Sequence, residues 1–173
     1  EIVVADNLCN SCEEAVRRHL KESREAGIRF VRDGGDAREV SKLARELAPE
    51  YGIEYRTPIF AIHKRGHYGG IVGHPFDDFR EYETLVKRAR EEGADFIKIM
   101  VSGLLDFSRA GTLTEEGLSG EEIRRMIGIA HDAGMAVMAH CNGDRTCYDT
   151  LEAGADSLEH GFFMSEETLC LLA

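Results

Sequence analysis

Alternating strand-like and helix-like segments predict an α/β protein on a parallel sheet, and more closely an internal portion, about strands two to six, of a (β/α)8 barrel. Three observations carry that expectation. Strands recur at roughly 25 to 45 residue spacing with helices between them, the pattern of right-handed βαβ units. No G-x-G-x-x-G follows any strand, as a dinucleotide-binding open sheet would require. The polar residues that stand out lie at strand C-terminal ends, where a barrel builds its active site. A whole barrel usually needs about 250 residues, so this chain is expected to be one partial domain, residues 1–173, lacking the first strand and the last two.

The elements follow in order. Ser11-Cys12-Glu13-Glu14 has capping-box spacing and opens a helix over 13–26, with Ala15, Val16, His19 and Leu20 at helical intervals and Gly27 closing it. Ile28 to Asp33 reads as a strand that ends in the Gly34-Gly35 turn. A second amphipathic helix is expected over 37–51, striped by Val40, Leu43, Ala44 and Leu47. A strand over 58–62 then gives way to a Gly- and His-rich loop from His63 to His74. Helix 78–92 leads into the strand Ala94 to Val101. A long loop over 102–118 is followed by a capping box, Ser119-Gly120-Glu121-Glu122, and a helix to Asp132. Strand 135–140, helix 144–152, strand 156–160 and a helix starting at Ser165 complete the chain, giving five strands in all.

Composition narrows the function. A net charge of −11 argues against nucleic acid or an anionic membrane as partner. No apolar run approaches the roughly 20 residues of a spanning helix. Five cysteines without the spacing of a disulfide scaffold fit reduced thiols and a cytoplasmic location. Cys9 and Cys12 form a lone C-x-x-C without the second pair that a zinc knuckle needs.

The strand Ala94-Asp95-Phe96-Ile97-Lys98-Ile99-Met100-Val101 carries the chemistry. Alternation puts Phe96, Lys98 and Met100 on one face and Ile97, Ile99 and Val101 on the other, so both faces are apolar and the one central charge lies inside. A buried lysine loses its proton readily, and the free amine can attack a carbonyl or take up carbon dioxide as a metal-binding carbamate. A lysine that snorkels to water is the plainer alternative. His140 and His160 end the next two strands. Three consecutive strands thus offer Lys, His and His at one mouth, a set able to hold metal ions.

These residues resemble a known family. Glu92 to Met100, Ala136 to His140 and Gly154 to Gly161 are similar to strands four, five and six of the amidohydrolase superfamily. The nearest branch is that of the imidazolonepropionase-like enzymes and the Xaa-Pro or Xaa-Arg dipeptidases. Gly27 to Gly35 is similar to that branch's second strand, and Gly66-His67 to its third loop. The resemblance implies a metal-dependent hydrolase of amide C–N bonds, with dipeptides or N-acyl amino acids as substrate types. It implies two divalent ions, zinc by preference, bridged by Lys98 carboxylated with carbon dioxide, one of them held by His140 and His160. A metal-bridging hydroxide would attack the carbonyl. His67 is a candidate for contact with substrate or intermediate, and Arg109, on the long loop, for gripping a carboxylate.

The family's His-x-His of strand one and its catalytic Asp of strand eight have no counterpart here, so the stretch alone is expected to be inactive; separately, the full-length protein is expected to be a homo-oligomer. Ser102-Gly103-Leu104 stands for the usual Ser-Gly-Gly, and Cys141-Asn142 also departs from the branch, which leaves the substrate open. Two alternatives remain. The lysine strand also resembles that of deoxyribose-phosphate aldolase, a Schiff-base enzyme, and the chain could instead be a non-catalytic metal-binding fragment.

Overall fold

The computed structural model of the protein describes residues 12–172. Cys9 of the C-x-x-C and Ser11 of the first capping box lie outside that range. The elements run α1 (Cys12–Glu25), β1 (Phe30–Arg32), α2 (Val40–Leu47) with a 3-10 turn (Ala48–Tyr51), β2 (Glu54–Arg56), β3 (Ala61–Lys64), β4 (Gly73–Phe76), α3 (Phe79–Glu91), β5 (Ile97–Met100), α4 (Gly120–Asp132), β6 (Val137–Cys141), α5 (Asp144–Glu152), β7 (Ser157–His160) and α6 (Glu166–Cys170). Side-chain caps fix several helix starts. Asp78 accepts from the amides of Arg80 and Glu81, Ser119 and Glu122 close the expected capping box, and Ser165 caps α6 at Thr168.

Among the described residues the pairings of β1 to β7 are all parallel, and an isolated antiparallel bridge joins Leu105 to Leu113. β1 pairs with β2, and a five-stranded sheet runs β4-β3-β5-β6-β7. The Asp95 amide donates to the Thr57 carbonyl at 2.9 Å, joining the end of β2 to the segment that enters β5. No helix among the described residues is long and apolar enough to cross a membrane.

Three expectations need correction. The strand expected over 58–62 begins only at Ala61, as β3, and an unexpected strand, β2, precedes it, the two being separated by a kink at Ile59, whose φ is 71°. Side chains replace the missing ladder there: Thr57 Oγ1 accepts from the Ile59 amide at 2.9 Å, and Ser41 Oγ donates to the Ile59 carbonyl at 2.9 Å. The expected loop from His63 to His74 holds the end of β3 and the start of β4, which brings the strands among the described residues to seven. Gly73 allows that pairing, because a Cβ there would lie 1.9 Å from the Ala61 carbonyl oxygen. The second helix begins only at Val40, after Asp36 has captured the amides of Arg38, Val40 and Ser41, and it ends where Pro49 tightens the chain into the 3-10 turn.

The core lies between sheet and helices. Ile62, Ile97, Ile99, Val137, Ala139 and Cys141 point outward into one apolar cluster with Tyr82, Val86, Ile123, Met126 and Ile127 from α3 and α4. A second cluster joins Val16 and Leu20 of α1 to Ala44 and Leu47 of α2 and Tyr55 of β2. The opposite, inward face is free to carry polar side chains.

Candidate metal centre

Register places the inward side chains in two rows. Ala61, Lys98, Met138 and Ser157 stand opposite one another across β3, β5, β6 and β7. One step nearer the strand ends come His63, Met100, His140 and Glu159. Such layering is the way a parallel barrel fills its interior.

Lys98 sits in the lower row and is 6% exposed. A side chain of its length is able to reach the upper row, where His140 is 3% exposed and feels the Lys98 charge. Gly103 fixes the imidazole: its carbonyl oxygen lies 3.2 Å from His140 Nε2 and accepts from Asn142 Nδ2 at the same 3.2 Å. A carbonyl can only accept, so Nε2 carries the proton and Nδ1 keeps the lone pair. Tyr68 packs on the ring, with centroids 5.2 Å apart. Burial pushes the His140 pKa down to about 4, and positive charge on His160 and Lys98 acts in the same direction. The ring is therefore neutral at physiological pH, the form that ligates metals.

His160 reaches the same place by another route. It pairs with Cys141, and Cys141 points outward, so simple alternation would send His160 outward too. Its φ of 76° turns the backbone into the left-handed region and swings the ring back, to a centroid distance of 4.7 Å from His140. Unlike His140 it is exposed.

The loop over 102–118 covers this end of the sheet. Ser102 Oγ accepts from the Asn142 amide at 2.8 Å and donates to the Gly103 carbonyl at 3.2 Å, locking the loop's root to the end of β6. Gly103 must be glycine, since a Cβ would lie 2.6 Å from Glu115 Cγ and 2.9 Å from the Glu115 amide nitrogen. Glu115 then accepts from the Tyr68 amide at 2.6 Å, joining this loop to the one after β3. His67 is half-buried in that second loop, its amide bonded to the Lys64 carbonyl at 3.0 Å. Arg109 lies on an exposed turn. Among the described residues, neither side chain is hydrogen-bonded to or stacked on the histidine pair.

Sequence reasoning missed His63. It is 6% exposed, its Nδ1 lies 3.1 Å from the Lys64 carbonyl, and its buried Nε2 has no hydrogen-bond partner among the described residues. Burial holds its pKa below the ordinary imidazole value. The alternation Ala61-Ile62-His63, with Ile62 in the core, was the available signal. Among the described residues no three His, Cys, Asp or Glu side chains converge closely enough to hold a metal ion. The convergent set is two imidazoles and an amine.

A profile of the amidohydrolase family matches residues 9–172. The chain belongs to the amidohydrolase family. The amidohydrolase fold is also seen in solved structures. The A. niger ochratoxinase superposes with a TM-score of 0.73 at 21% identity, over 92% of this chain and 43% of that one. A Xaa-Pro dipeptidase with bound methionine gives 0.67 at 24%, over 98% and 46%. A prolidase complexed with N-methylphosphonate-L-proline gives 0.70 at 23%, over 92% and 44%. No curated protein sequence matches. At these identities the likeness is one of fold, and it makes the parallel sheet an arc of a (β/α)8 barrel. The amidohydrolase chain spans less than half the length of these three structures.

Proposed function

We propose that this chain supplies one side of the metal centre of an amide-hydrolysing enzyme, with Lys98 carboxylated and bridging two divalent ions, zinc by preference, and His140 and His160 holding one of them. The observation that carries the reading is the meeting of the His140 and His160 rings at 4.7 Å above the inward-facing, buried Lys98. The donor set fits such a centre: a neutral imidazole held through Nε2, a second imidazole beside it, and an amine whose carbamate would add anionic oxygens. Bound there, the two ions would supply a hydroxide nucleophile near neutral pH and polarise the scissile carbonyl.

The chain's own residues shape the reaction. The Gly103 carbonyl keeps the His140 ring in one tautomer and one orientation. Tyr68 and the loop over 102–118, tied together through Glu115, shield the buried side of the site from water. His67 contacts the substrate from the loop after β3, and Arg109 grips a substrate carboxylate from the tip of the long loop. Amide substrates, dipeptides or N-acyl amino acids, suit such a site, and the names of the structural neighbours support that class: Xaa-Pro dipeptidase, prolidase and ochratoxinase.

The test is chemical. Protein loaded with zinc and 13C-labelled bicarbonate should bind metal and show a carbamate carbon resonance, and Lys98→Met should lose both. Wild-type protein with neither metal nor label would refute the reading. Arg109→Ala should raise KM for carboxylate-bearing amides alone; an equal rise for neutral amides would remove Arg109 from the site.

A further inference from the structure

The upper inward row ends in a carboxylate that the reading above leaves unused. Glu159 stands opposite His140 across β6 and β7, so its side chain shares the inward face with the site. Its partner comes from the first strand. Arg32 of β1 places Nη2 2.5 Å from Glu159 Oε1, a contact between residues 127 positions apart. Val31 packs on the α1–α2 cluster, so Arg32 faces the other way, toward the interior. The pair therefore ties β1, of the two-stranded sheet, to β7, an edge strand of the five-stranded one.

His160 is the next residue after Glu159. Its ring makes no hydrogen bond among the described residues, and its backbone is held in the left-handed region that non-glycine residues avoid. Such a conformation persists only where the surroundings impose it. Beyond it, the Gly161 amide donates to the Cys141 carbonyl at 3.0 Å and the Gly143 amide to the Phe162 carbonyl at 2.9 Å, which fixes the chain after the turn. Before the turn, the strong side-chain anchor is Glu159 on Arg32.

We propose that Arg32 and Glu159 are positioning residues, an ion pair across the mouth that pins the end of β7 and so holds the His160 ring against His140. Its consequence for metal binding rests on the metal reading above; its structural part does not. Both side chains are partly exposed, so the pair adds little to global stability and acts locally.

The test uses Arg32→Met, Glu159→Gln and the charge swap Arg32→Glu/Glu159→Arg. Amide hydrogen exchange without metal should show the Gly161 and Gly143 amides losing about twofold to fivefold protection in each single variant, with the Ile97 amide unchanged and the swap restoring the wild-type pattern. Zinc affinity, read by competition with a chromophoric chelator, should fall on the order of tenfold in the single variants and recover in the swap. If Arg32→Met does not fold, the near-isosteric Glu159→Gln carries the test. Unchanged protection at both glycines, loss that extends equally to Ile97, or a swap that restores nothing would overturn the proposal. Wild-type protein that binds no zinc, with the exchange pattern as expected, would overturn the metal reading and leave the positioning pair standing.

Discussion

His140 and His160 arrive at one point, yet they are held in opposite ways. His140 is built in: it continues a regular strand, is 3% exposed, and is locked by the Gly103 carbonyl and the Tyr68 ring. His160 is bent in: its ring faces His140 only because one residue adopts a φ of 76°, and it is exposed. The contrast teaches that a site in a parallel barrel can combine a rigid element fixed by register with an adjustable one fixed by a turn.

The largest expected effect breaks the comparison at its rigid side. His140→Ala removes a packed ring and one partner of a buried carbonyl, and should cost about 2–4 kcal/mol of stability. His160→Ala should cost less than about 1 kcal/mol, since an exposed ring loses little on truncation. Urea unfolding of both variants without metal measures the difference, and equal costs would show that His160 is as firmly packed as His140.

The same contrast holds for two strand-end carboxylates. Asp33, just after β1, is buried, whereas Glu159 is partly exposed. Burial raises the Asp33 pKa from 3.8 to about 6, although Thr57 Oγ1 donates to it at 3.0 Å. Its folded pKa lies above its unfolded value, so the stability this proton confers is complete below about pH 4 and is lost as pH rises through about 6. The loss amounts to about 2–3 kcal/mol. Unfolding free energies across that window should show the extra slope in wild type and not in Asp33→Asn; parallel curves would contradict it.

A smaller effect sharpens the account of the loop root. Ser102→Ala leaves the buried Asn142 amide without its acceptor and should cost about 1–2 kcal/mol, again by urea unfolding. No loss would mean that the seam between β5 and β6 is held elsewhere.

How much of this was legible in the sequence depends on the range of the forces involved. The lysine strand announced itself, because alternation alone puts Ile97 and Ile99 opposite Lys98, and the capping box at Ser119 is a local pattern. His140 was legible for the same reason. His160 could be placed at a strand end, but the turn that directs its ring inward could not be read from its neighbours. β4 and the inward side chain of His63 were hidden by glycines that look like loop and serve to bring β4 against β3. β2 was hidden too: Glu54-Tyr55-Arg56 has a single buried residue, and its pairing with β1 is long-range.

The smallest expected effect acts on the turn itself. His160→Gly removes the left-handed strain and should change stability by less than about 1 kcal/mol, in the stabilising direction, while zinc affinity falls. A clear loss of stability would mean that the ring supports the fold as well as the site.

The central claim is that Lys98, His140 and His160 share metal, and an anomalous-scattering map of crystals of the protein grown with zinc and bicarbonate tests it most directly. The account predicts zinc peaks beside a carboxylated Lys98, one of them bound by both imidazoles. An unmodified lysine with no peak between His140 and His160 would contradict it.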